Sequence, residues 1–183
     1  MRFRYLFAGI LATLMMGASF AQDCPAAKDK AAAIRFLQEH KAHGTDADPW
    51  CVWQAFAALR YDKSNIEVLV DLLDFERSTK DETSLITPDA RYPAIRELAS
   101  MGQPAVPYLI KTIVNNEGAL VRQNATWALD EILRSKCRRD VIKLLANEGE
   151  KPGTTAEQLA HLREAEDLVT QIHHLCESEM PAQ

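Results

Sequence analysis

The residue types that most often carry chemistry are present in this chain, but their spacing argues against catalysis. Five histidines occur, at His40, His43, His161, His173 and His174. None has a histidine four residues away, the helical spacing that would bring two imidazoles to one metal ion. His40 and His43 are three apart, yet His43 precedes Gly44, where a helix should already be ending. His161 falls on one helix side with Ala165, Leu168 and Ile172, which suits a hydrogen-bonded interior histidine. Acidic neighbours such as Asp71 with Asp74, Asp130 with Glu131, and Glu164 with Glu166 and Asp167 fit solvated helix faces. General acid–base work would instead need two carboxyls in one cleft with separated pKa values. No glycine-rich phosphate loop and no Gly-x-Ser-x-Gly elbow is present. No cofactor is expected, and no metal site.

Four cysteines occur, Cys24, Cys51, Cys137 and Cys176. They lack the Cys-x-x-Cys spacing of a zinc site. Three pairings are open to four cysteines. Cys24–Cys51 and Cys137–Cys176 are favoured, because each closes a terminal helix pair locally. That reading needs an oxidising compartment, and the N-terminus supplies one. Arg2 and Arg4 precede an apolar run from Leu6 to Met16, and Ser19-Phe20-Ala21 places small residues at the positions a signal peptidase reads. Residues 1–21 therefore read as a secretory signal peptide and 22–183 as one domain, periplasmic or secreted, with no membrane span after cleavage. The whole chain carries a formal charge of −5, and losing Arg2 and Arg4 makes the remainder two charges more acidic. Such a body argues against nucleic acid as a partner.

Elements to position these side chains are all helical, since apolar residues recur at three and four, not two. The pattern predicts helices over 27–41, 48–60, 64–73, 89–100, 104–114, 118–134, 140–145 and 155–175. Asp48, Ser64 and Thr155 are the expected N-caps, and Pro49 the expected first-turn residue. The polar stretch 76–88 reads as a long solvated loop. Trp50, Val52, Trp53, Phe56 and Ala57 read as core packing beside Cys51, with a binding role as the alternative. Asn124-Ala125-Thr126 is a glycosylation sequon, but mid-helix.

A repeat runs through the middle of the chain. Arg91, Ala94 and Leu98 return as Arg122, Ala125 and Leu129, each displaced by 31 positions. Between the copies, Met101-Gly102-Gln103-Pro104 turns into the apolar helix opened by Ala105-Val106-Pro107-Tyr108-Leu109-Ile110. A period of this size is a sign of stacked helical hairpins. With Pro107 and the pair Val121-Arg122, residues 64–147 resemble HEAT-like repeats. The family's turn aspartate is replaced by Asn116. The resemblance implies an all-α, right-handed stack of about four hairpins, an α-solenoid, and the two favoured disulfides would staple its terminal pairs.

In such a stack the second helix of each pair lines the inner curve. On the helix carrying Val121, Ala125, Ala128 and Ile132, about 100° per residue turns Trp127 away from the apolar centre, among Gln123, Asp130 and Arg134. The preceding copy places Tyr92 and Arg96 in the matching positions. Tyr92, Arg96, Gln123, Trp127, Asp130 and Arg134 together form the expected binding strip, since Trp, Tyr and Arg tend to dominate interface energies. The expected partner is a protein or peptide, held without catalysis. The alternatives are packing of Trp127 under the last helix or a dimer mate, an enzyme or accessory subunit acting on a small molecule or cell-wall fragment, and a structural module that assembles with itself through its open ends.

Overall fold

The computed structural model describes residues 24, 26, 28–80, 82, 86–134 and 136–172. The expected signal peptide, His173, His174 and Cys176 lie outside the described residues. Among those residues the chain is all-helical and without strands. The helices are α1 (Lys30–Glu39), α2 (Pro49–Leu59), α3 (Ile66–Asp71), α4 (Pro88–Arg91), α5 (Pro93–Met101), α6 (Val106–Asn115), α7 (Ala119–Ile132), α8 (Arg138–Gly149) and α9 (Ala156–Ile172). Short 3-10 turns, Lys41–Asp46, Lys63–Asn65 and Gln103–Ala105, lead into α2, α3 and α6.

Local chemistry explains most boundaries. Asp48 accepts a bond from the Cys51 amide at 2.8 Å, and Pro49 occupies the first turn of α2. Thr155 and Gln158 cap α9 reciprocally: the Gln158 amide donates to Thr155 Oγ1 at 3.2 Å, and the Thr155 amide to Gln158 Oε1 at 2.9 Å. Asp29 caps α1 through the Ala32 amide at 2.7 Å. The expected cap Ser64 is instead capped itself, because Asp62 takes its amide at 3.0 Å and starts the 3-10 turn two residues earlier. Gly102 ends α5 with φ 67°, a conformation glycine adopts without a Cβ penalty.

The expected continuous helix over 89–100 is two helices. Pro93 disfavours helical geometry in the residue before it, and Tyr92 accordingly sits at φ −118°, ψ 85°. The single turn α4 precedes this break and α5 follows it.

Helix α1 packs on α2, α3 on α5, α6 on α7, and α8 on α9. Helices α2, α5, α7 and α9 also touch in succession, and α3 touches α6. One continuous apolar core runs beneath them, from Ala33 and Leu37 through Phe56, Phe75, Leu98 and Leu129 to Val169. Cys24 and Cys51 form a disulfide with Cα atoms 5.3 Å apart, which ties the segment before α1 to α2. It fits an oxidising environment. Cys137 is also disulfide-bonded, while its expected mate, Cys176, lies outside the described residues. No helix among the described residues is long and apolar enough to cross a membrane.

Buried polar side chains tie neighbouring helices at their ends. Asn124, 2% exposed, donates to the Leu73 carbonyl at 2.7 Å, which satisfies an acceptor released where α3 ends. Thr126 is buried too, bonded to the Arg122 carbonyl at 2.9 Å. The sequon is thus internal to the fold. Asn65 donates to the Leu59 carbonyl at 2.9 Å, doing for α2 what Asn124 does for α3. Arg122 clasps Glu164 at 2.9 and 2.6 Å and donates to the Asn116 and Glu117 carbonyls at 3.0 and 2.9 Å. The Asn116 main chain serves this arginine, and its side chain accepts the Gly118 amide at 2.9 Å. His161, half-buried, bonds the Val114 carbonyl through Nδ1 at 3.0 Å, as an interior histidine should.

Gly44 is required by close approach. A Cβ there would lie 2.4 Å from the Glu76 carbonyl oxygen and 2.8 Å from the Phe75 ring. Backbone on one side and a fully buried ring on the other leave little room to relax. Gly44→Ala is expected to lower stability by roughly 1–3 kcal/mol through overpacking. A urea midpoint equal to that of the wild type would contradict this packing.

Candidate groove on the α2, α5 and α7 side

Helix α7 touches α5, α6 and α9, and little of its circumference is left free. Asp130, expected on the open strip, is consequently buried, at 7% exposure. Trp127 is half-buried: part of its indole packs on the core and part lines a groove of 640 Å³. Arg96, Ile95, Ala99 and Ser100 of α5, Thr87, Pro88 and Asp89 around α4, and Glu131 and Arg134 at the end of α7 form the other walls. Of the expected strip, the groove brings together Arg96, Trp127 and Arg134. Tyr92, Gln123 and Asp130 do not line it. Tyr92 is carried away because Pro93 breaks the helix, and its ring packs on the core under the Arg91 guanidinium, 5.8 Å from the ring centre.

A second, smaller compartment of 170 Å³ adjoins the first, since Asp89 and Arg96 line both. Pro49, Val52, Trp53 and Phe56 from α2 face Pro93 and Glu97 from α5 across it, with Arg60, Arg77 and Ala90 completing the lining. Trp53 was expected in the core. It is 51% exposed instead, and Trp50 is 55% exposed, the two rings stacked 5.1 Å apart. The reason is position: among the described residues α2 packs chiefly on α1 and α5, and the tryptophans project from neither of those sides. Val52 and Phe56 do enter the core.

Each groove arginine is held by a carboxylate. Arg60 Nε and Nη2 donate to the two oxygens of Glu97, both at 2.6 Å. Glu97 is 3% exposed, so this is a charge pair largely withdrawn from water. Hydrogen bonding to Glu97 raises the Arg60 pKa against the opposing effect of burial. Arg96 donates from Nε and Nη2 to Asp89 Oδ2 at 3.1 and 2.8 Å, and Thr87 donates to Asp89 Oδ1 at 2.5 Å. Arg134 pairs with Glu131, and Arg77 with Glu82 at 2.5 Å. Arg77 also fastens the polar stretch to α4: its amide donates to the Arg91 carbonyl at 3.1 Å and its Nε to the Ala90 carbonyl. Residues 76–79, expected as solvated loop, are half-buried, and Arg77 among them lines the smaller compartment.

Two wall residues, Arg60 and Glu97, were not singled out from the sequence. A signal for Glu97 was there. It stands three after Ala94 and four before Met101, within the apolar stripe of α5, where a carboxylate demands a partner. Among the described residues, no cluster of three His, Cys, Asp or Glu side chains is arranged to hold a metal ion. Comparison with protein-family models, with curated proteins and with solved structures gives no match to this chain.

Burial pushes the Asp89 carboxyl upward, but Thr87 and Arg96 more than offset it, and the group titrates below its ordinary value. A carboxyl depressed on folding stabilises above its unfolded pKa and loses that contribution as pH falls through the folded value. Acidification below about pH 4 should therefore weaken the wall between the compartments. Asp89→Asn should show a shallower loss of stability between neutral and acid pH than the wild type. Parallel acid-denaturation profiles would contradict the pairing.

Proposed function

We propose that the chain is an exported, HEAT-like α-solenoid scaffold that binds a protein or peptide and does no chemistry on it. The helix pairs α1–α2, α3–α5, α6–α7 and α8–α9, with α2, α5, α7 and α9 in succession, support the stacked reading. The leader-like N-terminus and the Cys24–Cys51 bridge support export to a periplasm or beyond the cell, and the second terminal staple is Cys137–Cys176.

The observation that carries the binding role is Trp127, an aromatic side chain half set in the core and half lining an arginine-rimmed groove. A ring fixed by packing loses little entropy when a ligand covers it, which is what an interface anchor needs. Arg96 and Arg134 are exposed, and they pair with Asp89 and Glu131 respectively. Exposed ion pairs are worth roughly 0–1 kcal/mol, so an acidic group on the partner can compete for these guanidiniums at small expense.

The test is co-purification from the native host under non-reducing conditions, with wild type and the Trp127→Ala variant side by side. The expected result is a partner retained by the wild type and lost by the variant, with the helical circular-dichroism signal preserved in both. Retention of the same partner by both would overturn the role of Trp127. Loss of helical signal in the variant would assign the ring to packing alone.

A further inference from the structure

The smaller compartment has a chemistry of its own. Its walls are apolar on one side, from Pro49, Trp53 and Phe56 of α2, and cationic on the other, from Arg60 and Arg96. Both guanidiniums are held in place through the same two nitrogens. Glu97 takes Nε and Nη2 of Arg60, and Asp89 takes Nε and Nη2 of Arg96. Each keeps its Nη1 edge clear of its carboxylate partner. Arginine offers five donors in a rigid fork and no acceptor. The compartment is thus lined by two guanidiniums whose carboxylate partners leave N–H donors unused, beside an exposed indole.

We infer that this compartment captures the free C-terminal residue of a peptide, its carboxylate on Arg60 and Arg96 and its apolar side chain against Trp53. Size favours this occupant. At 170 Å³ the space suits one residue, and the chain of which it is the end continues past Asp89 and Arg96 into the 640 Å³ groove beside Trp127. Hydrogen-bonding capacity favours it as well. The three lining arginines are each paired, Arg60 with Glu97, Arg77 with Glu82 and Arg96 with Asp89, and those carboxylates do not use Nη1 of Arg60 or of Arg96. The carboxylates are already committed to arginine, which leaves the ligand to supply the acceptor. A carboxylate with an apolar body could also be a fatty acid, but a long acyl chain would have to leave the apolar wall and cross the charged Asp89–Arg96 partition. A peptide backbone, with its own donors and acceptors, can bond to that partition. This inference deepens the peptide reading of the groove and depends on it only for the direction in which the chain leaves the compartment.

The experiment is a titration of the full protein followed through the indole N–H resonances, with the Trp53 signal assigned from Trp53→Phe. The probes are N-acetyl-leucine, N-acetyl-leucinamide, octanoate and methyl glucoside. N-acetyl-leucine should shift the Trp53 resonance saturably. The amide should bind about tenfold or more weakly, the loss expected when a charge-assisted hydrogen bond is removed. Arg96→Gln, an exposed position, should weaken the acid by a similar factor, while Trp127→Ala leaves it unchanged. That last arm separates this site from the neighbouring groove: either can fail while the other stands. Equal binding of acid and amide, or no shift of the Trp53 signal, would overturn the inference. Tighter binding of octanoate would reassign the site to fatty acids, and saturable binding of methyl glucoside alone would reassign it to sugars.

Discussion

Glu97 is the constraint on which the groove depends. A carboxylate in the apolar stripe of a helix is tolerated only with a partner that satisfies both oxygens. Arg60, at the end of α2, provides that partner from a helix 37 residues away in sequence. A buried pair of this kind adds little net stability, because desolvation offsets the attraction. Losing one member is another matter, since the survivor is left charged and unpaired. The pair therefore acts as a register pin. It accepts one relative position of α2 and α5, and the compartment between them has the shape that this position gives.

The same logic extends along the chain. Asn65 and Asn124 bind carbonyls where α2 and α3 end, and Arg122 ties α7 to α9 through Glu164. None of these contacts is apolar, and each is specific to one arrangement. The apolar core supplies the drive to pack, and the polar ties select among the packings it would permit. What remains outside the core is then a matter of position. Helix α7 is enclosed on three sides and shows only part of Trp127. Helix α2, among the described residues, packs chiefly on α1 and α5 and shows Trp50 and Trp53.

Helices were legible in the sequence because their periodicity, caps and prolines are local signals. Asp48-Pro49, Thr155 and Gly102 act where they stand. The break at Tyr92 was legible too, from Pro93, which disfavours helical geometry in the residue before it. The site was harder to read, for a physical reason. A helical wheel shows which side of α7 is apolar, yet not how many neighbours it has. Asp130 looks solvent-facing on a wheel and is buried all the same. Trp53 looks like core and is half exposed, because among the described residues no helix covers that side of α2. Arg60 with Glu97 is a contact between distant segments, invisible to any local pattern, although the carboxylate alone on its apolar stripe was a clue.

The most direct test of the register pin is amide hydrogen exchange on the intact, disulfide-bonded protein and on its Glu97→Gln variant. In the wild type, α2 and α5 should share one level of protection, as parts of a single cooperative unit. In the variant, both should lose protection while α8 and α9 keep theirs. Unchanged protection of α2 and α5 in the variant, or α2 opening independently of α5 in the wild type, would contradict the account.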